Sequence, residues 1–234
     1  MRKLLTLFLF AALPGAALAA DMRPAPKPIV ATPVAASCQW CGLYIGANVG
    51  YLFNSTLNPT FATLAEELSN LNPKGLIYGA HLGYNTQVGL FVVGVETDFT
   101  FAGINKTQAL TTLEVPTALG ADLDYFGSAR VRAGFLPFSG ALLYGTGGLG
   151  WGHTQGNLVV EGASFSAPAL HFGWVAGGGL EVVLVDNWTG RLEYLHYDLG
   201  KSTYSFATPF VFPSASGRFA ADTVRAGLSY KFGH

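Results

Sequence analysis

Cys38 and Cys41 stand in Cys-Gln-Trp-Cys and are the only cysteines in 234 residues. Three chemistries use such a pair. A thioredoxin-like redox site needs a βαβ setting, and none follows. A zinc site needs two further ligands nearby, and none is evident. A local disulfide needs only an oxidising compartment. The pair Cys38 and Cys41 is therefore read as a candidate disulfide of structural or incidental kind.

Catalytic groupings are sparse. His81, His171 and His196 fall in strand-like stretches, and Tyr194-Leu195-His196-Tyr197-Asp198 sets a histidine two residues from a carboxylate. A lipid-hydrolysing site would need a serine converging on that pair, and no serine stands beside it. Gly-x-Ser-x-Gly, phosphate-loop and zinc spacings do not occur. No catalytic, cofactor-binding or metal-ligating residue is assigned, and the expectation is a protein that is not an enzyme and carries no cofactor.

Charge is the remaining chemistry. Glu96, Asp98, Asp124, Glu181 and Glu193 fall on the polar faces of alternating stretches. So do Arg130, Arg132, Arg191, Arg225 and Lys231. If these faces point into a closed barrel of eight strands, the interior is just wide enough to be filled by side chains. Unpaired charges there are expensive. The ten residues are therefore expected to form an interior ion-pair network that plugs the barrel. The alternative is a small porin with a narrow, ion-pair-lined pore, for which inward glycines such as Gly46, Gly50, Gly79, Gly83 and Gly134 would leave watery gaps. Barrel size favours the plug.

The elements that must position these charges are read from period two. In Thr223 to Phe232, the residues Val224, Ala226, Leu228, Tyr230 and Phe232 share one face, and Arg225, Gly227, Ser229 and Lys231 share the other. Seven further strands are expected at 43–53, 76–87, 90–101, 122–136, 141–153, 170–185 and 188–199, the fifth glycine-rich and without a settled phase. Tight turns at 87–89, 137–140 and 186–187 alternate with long loops at 54–74, 102–121, 154–169 and 200–218. Phe61, Leu64, Ala65 and Leu68 recur at helical spacing within the first loop. A strand so near the chain end is protected if it pairs with the first. An apolar face can then meet lipid. The fold class expected is all-β: an eight-stranded antiparallel up-and-down transmembrane β-barrel.

The rest of the chain fits this. Arg2 and Lys3, the apolar run Leu4 to Leu13 and Ala17-Leu18-Ala19 read as a signal peptide over 1–20. Residues 21–41 read as a Pro/Ala-rich periplasmic linker ending in the cysteine pair, and 42–232 as the barrel. Only 12% of residues are charged while half are hydrophobic, which is low for a soluble domain. The net charge of -1 argues against nucleic acid as a partner.

Several stretches together carry a family resemblance. They are Trp40-Cys41-Gly42-Leu43-Tyr44-Ile45-Gly46, Gly94-Val95-Glu96-Thr97-Asp98-Phe99, Tyr144 through Gly152, Asn187-Trp188 through Glu193-Tyr194, and Val224 through Phe232. The chain resembles the porin-like outer-membrane β-barrel proteins of Gram-negative bacteria, related to the OmpA transmembrane barrel and to major surface antigens. The resemblance implies a bacterial outer-membrane location with both termini in the periplasm. It also implies four external loops and a role in envelope integrity or surface contact. Some relatives are porins and others bind small ligands such as haem; no catalytic residues come with the family. Outer-membrane lipids, lipopolysaccharide and the barrel-insertion machinery are the implied partners, with a host or small-molecule ligand at the loops left open. Two departures stand out: the cysteine pair, and the Gly233-His234 that follows Phe232, where relatives usually end on the aromatic residue.

Overall fold

The computed structural model describes residues 38–61, 72–110, 117–160, 162–205 and 214–232. The expected signal peptide, the linker up to residue 37, the helical spacing beyond Phe61, and Gly233-His234 lie outside the described residues.

Eight strands follow in chain order: β1 (Gly42–Phe61), β2 (Gly75–Val88), β3 (Phe91–Leu110), β4 (Thr117–Phe138), β5 (Ala141–Val160), β6 (Ala163–Val185), β7 (Trp188–Ser205) and β8 (Ser214–Phe232). Each pairs antiparallel with its chain neighbours, and β1 pairs with β8 to close the barrel. Closure runs from Leu43↔Phe232 through Leu52↔Thr223 and onward to Phe61↔Ala215. It satisfies both backbone edges, the condition for a sheet that meets hydrocarbon.

Side chains alternate as the pleat requires. Leu43, Ile45, Val49 and Tyr51 of β1 are exposed on the outside, while Tyr44, Asn48 and Leu52 are buried. Val131 and Phe135 of β4 are exposed where Arg130 and Arg132 are buried. The outer face is apolar and carries linked aromatic rings. Tyr78, Phe99, Phe101, Tyr125 and His153 form a chain of ring contacts across β2 to β5, with centroids 5.1–5.7 Å apart. Trp188, Tyr230 and Phe232 form a second group near the tight turns. Two such bands are what membrane interfaces select.

The tight turns are two residues long, between β2 and β3, β4 and β5, and β6 and β7. Gly140 (φ 88°) and Asp186 (φ 47°) take the left-handed backbone these reversals require.

Two expectations need correction. Much of the sequence assigned to loops 102–121, 154–169 and 200–218 is paired strand, so β3 to β8 extend well beyond their predicted ends. These extensions carry many small and polar residues, so hydrophobic alternation fades although the ladder continues. The second correction concerns phase. β-bulges interrupt the register at Phe53/Thr56, Phe101/Ile104, Leu123/Tyr125 and Asp198/Lys201. A bulge adds a residue to one strand and can turn the following side chains to the opposite face. Leu123 is 1% exposed inside the barrel, whereas Asp124, expected to face inward, is turned away from the interior.

Candidate functional site

The candidate site is the lumen, and it is built in three levels. The middle level is ionic. Glu96 and Asp98 come from β3, Arg130 and Arg132 from β4, Glu181 from β6, Arg191 and Glu193 from β7, and Arg225 from β8. All eight side chains are at most 2% exposed. The Arg130 guanidinium contacts Glu96 at 2.5 Å, Asp98 at 3.2 Å and Glu193 at 3.1 Å. Arg132 contacts Glu181 at 2.7 Å and Glu96 at 3.6 Å. Arg191 reaches Glu96 at 2.5 Å, and Arg225 reaches Asp98 at 3.0 Å and Glu193 at 3.1 Å.

The direction of these pairs matters more than their number. Glu96↔Arg130 and Glu193↔Arg225 are ladder neighbours on adjacent strands. Arg191–Glu96 joins β7 to β3, four strands apart and on opposite sides of the ring. Arg130–Glu193 and Arg225–Asp98, three strands apart, also cross the lumen, and Arg132–Glu181 bridges β4 to β6 over the inner face of β5. Tyrosines complete the belt. Tyr44 donates to Glu96 at 2.7 Å and accepts from Arg132 at 3.0 Å, and Tyr144 donates to Glu193 at 3.0 Å. The Arg132 guanidinium lies 4.0 Å from the centre of the Tyr144 ring. Ser128 donates to Asp98, and Thr189 to Glu181 at 2.7 Å. With partners this close, each charge in the belt is met by an opposite one, the condition under which a buried charge is tolerated in a low-dielectric interior.

Asp124 and Lys231 do not belong to this belt. Asp124 follows the bulge on β4 to the other face, where its Oδ2 lies 2.9 Å from His153 Nδ1. Lys231 points inward but sits one level nearer the tight turns, where it donates to the Gln39 carbonyl at 2.5 Å and lies 4.7 Å from the centre of the Trp40 ring. The belt is therefore four acids and four arginines rather than five of each sign. Tyr144 escaped the sequence reading because β5 is rich in glycine. The pairing Gly134↔Tyr144, with inward Gly134 opposite, is the signal that fixes its face.

The inward glycines do not leave gaps. A Cβ on Gly46 would lie 2.3 Å from His81 Nε2, one on Gly83 2.2 Å from the Tyr44 hydroxyl, and one on Gly134 2.7 Å from Tyr144 Cβ. Each glycine makes room for a large neighbour across the ladder. His81 fills its place with Nε2 2.8 Å from Ser229 Oγ.

Above the belt, away from the tight turns, the lumen is apolar. Leu52, Ile77, Ile104, Leu123, Phe126, Val175, Leu195, Tyr197, Leu199 and Phe219 pack as one cluster. Phe126 and Tyr197 meet edge to face at 5.1 Å. Within it, His171 Nε2 lies 3.1 Å from Thr154 Oγ1 and 3.0 Å from the Tyr204 hydroxyl. Below the belt, Trp40, Val92, Leu136, Leu142 and Tyr144 form a second cluster. The alternation placed Phe126 and Val92 on inward faces, but the layers as such were not read from the sequence, because an inward apolar residue looks like a lipid-facing one.

Cys38 and Cys41 are disulfide-bonded. They do not end a free linker. Residues 38–41 fold back as a turn against β2 and β8. His196, beside Asp198 in sequence, pairs instead with Asp222, its Nδ1 2.6 Å from Oδ1, while Arg218 holds Asp198. Among the described residues no group of three or more His, Cys, Asp and Glu is placed to hold a metal ion.

Residues 27–232 match the outer membrane protein beta-barrel domain family. The 31 kDa outer-membrane immunogenic protein of Brucella melitensis biotype 1 is 31% identical, over 92% of this chain and 93% of its own. The 25 kDa outer-membrane immunogenic protein of Brucella canis is 30% identical, over 91% and 87%. The crystal structure of the outer membrane protein OprG from Pseudomonas aeruginosa shares the fold with a TM-score of 0.57 at 11% identity, covering 85% of this chain and 99% of OprG.

Proposed function

The chain belongs to the outer membrane protein beta-barrel domain family and is an outer-membrane β-barrel, and from that premise we propose that it is a sealed structural barrel rather than a conduit. The observation that carries the reading is the set of ion pairs that cross the lumen, closed above and below by apolar layers. Such a barrel contributes mechanical continuity to the envelope and presents the four connections opposite the tight turns outside the cell, with both termini in the periplasm. Its partners are outer-membrane lipids and lipopolysaccharide at the outer face, and the barrel-insertion machinery during assembly. The names of the two Brucella relatives, as immunogenic proteins, agree with a surface open to the outside. The work is structural and not catalytic: the histidine and carboxylates nearest to a hydrolytic pattern are spent on Asp222–His196 and Arg218–Asp198 pairs.

Planar-bilayer recording tests this directly. The wild-type barrel is expected to give no stable current. Large, steady conductance steps would overturn the sealed reading in favour of the narrow porin.

A further inference from the structure

The lumen end beside the tight turns carries chemistry that a structural barrel does not need. Trp40 is fully buried there among Val92, Leu136, Leu142 and Tyr144. Its amide donates to Gln87 Oε1 at 3.2 Å, and Lys231 clamps the same turn through the Gln39 carbonyl and the face of the indole. The turn is closed covalently by Cys38–Cys41. The two sulfurs differ in their surroundings. Cys41 Sγ accepts the Gln87 backbone N–H at 3.3 Å. Cys38 Sγ lies 3.9 Å from Gln87 Oε1 and lines a cavity of about 740 Å³ together with Gln39, Gln87, Asp186 and Lys231.

We propose that this disulfide is a thiol-exchange site, opened by a dithiol at the Cys38 sulfur, which locks Trp40 in place as the stopper of the lumen. Lys231 in the same cavity attracts an incoming thiolate, the reactive form in exchange. The thiolate attacks Cys38 Sγ, and a new S–S bond forms as Cys38–Cys41 breaks. The electron pair leaves on Cys41 Sγ, where the Gln87 N–H stabilises it until it takes a proton from water. The second thiol of the dithiol, as its thiolate, then attacks its own partner's sulfur in the mixed disulfide and releases Cys38, which is protonated in turn. The protein gains two electrons and two protons; the dithiol is oxidised to its disulfide. Without the cross-link, the Trp40 turn is held by its hydrogen bonds, the Lys231 contact and the packing of the indole alone.

The test uses the folded, full barrel in lipid vesicles. It is exposed briefly to glutathione, quenched, blocked with iodoacetamide and mapped by mass spectrometry. Glutathione is expected on Cys38, with the alkyl group on Cys41. Equal labelling, the reverse pattern, or reaction only after denaturation overturns the exchange site. Hydrogen–deuterium exchange of the peptide carrying Trp40 then compares oxidised protein, protein reduced with dithiothreitol, and Cys41→Ser. Exchange is expected to rise several-fold in the last two; no rise overturns the locking role. The stopper rests on the sealed reading, and the two fail differently. Silence in bilayers is expected for every form, because the ionic belt lies behind the stopper. Current through the oxidised protein would overturn the sealed barrel and leave the site of attack to be judged by the labelling alone.

Discussion

At the level of Glu96 the lumen is filled by charge; at the level of Phe126 it is filled by hydrocarbon. Both levels leave their side chains almost without solvent exposure, yet they hold for different reasons. In the belt, Glu96 serves Arg130, Arg132 and Arg191 at once, so removing it weakens three contacts and strands Arg191. In the apolar layer, Leu195 and Phe126 have many interchangeable neighbours, and loss follows the volume removed. The belt fails abruptly and the apolar layer by degrees. Two kinds of filling in one small lumen give closure that no single substitution should abolish everywhere.

The sharpest way to break this comparison is Glu96→Ala. It leaves Arg191 without its ion-pair partner in a low-dielectric interior while Arg130 and Arg132 each lose one contact, and the expected loss is ~3–5 kcal/mol, the scale for breaking a buried pair. Thermal melting in detergent and bilayer current on Glu96→Ala, Arg130→Ala and the double variant would check it. The double should lose less than the sum, because the sites are coupled. Strict additivity would show that Glu96 and Arg130 do not interact energetically and would refute the network. In the apolar layer, Leu195→Ala should cost about 2–5 kcal/mol. Leu195→Val should cost visibly less, giving a graded series in urea unfolding; equal losses would erase the distinction between the levels.

The outer face offers a third case. Val131 is 65% exposed on the protein surface, paired in the ladder with Val95 and Gly147 and flanked in sequence by the inward Arg130 and Arg132. Val131→Arg should cost ~2–4 kcal/mol if the side chain meets lipid near the midplane, with Val131→Leu close to neutral. Folding yield into vesicles reads both, and a harmless arginine would mean this face does not meet hydrocarbon. The smallest effect is expected for Arg218→Ala. Arg218 and Asp198 are chemically the same pair as Arg130 and Asp98, but the Arg218 side chain is 58% exposed. Solvent screens such pairs, so melting should not change measurably. A clear drop would show that exposure is not what separates the belt from the surface.

The alternation of Val224, Ala226, Leu228, Tyr230 and Phe232 made closure by β8 legible, and the same rule placed Glu96, Arg130, Arg191 and Arg225 inside. The rule failed where the ladder is not regular. The bulge beside Asp124 reverses the phase of β4, and hydrophobicity at Leu123 carries no mark of it. Ile77 and Leu195 were illegible as core for another reason. In a membrane barrel apolar residues occur on both faces, so residue type stops reporting direction. Trp40 lies before β1, where there is no alternation to read, and its burial depends on a turn closed by contacts to Gln87 and Lys231, far along the chain.

The pairing of Leu43 with Phe232 also has a kinetic meaning. The first strand receives its second neighbour only from the last nineteen residues of the sheet. Contacts of such sequence separation form late and slowly, since the intervening chain must be gathered before they reward it. Until β8 arrives, β1 and β7 each keep an unsatisfied backbone edge that lipid will not solvate. A ribosome-bound or half-exported chain therefore has no stable partial barrel to adopt, and adhesive edges must be shielded for as long as synthesis and export last.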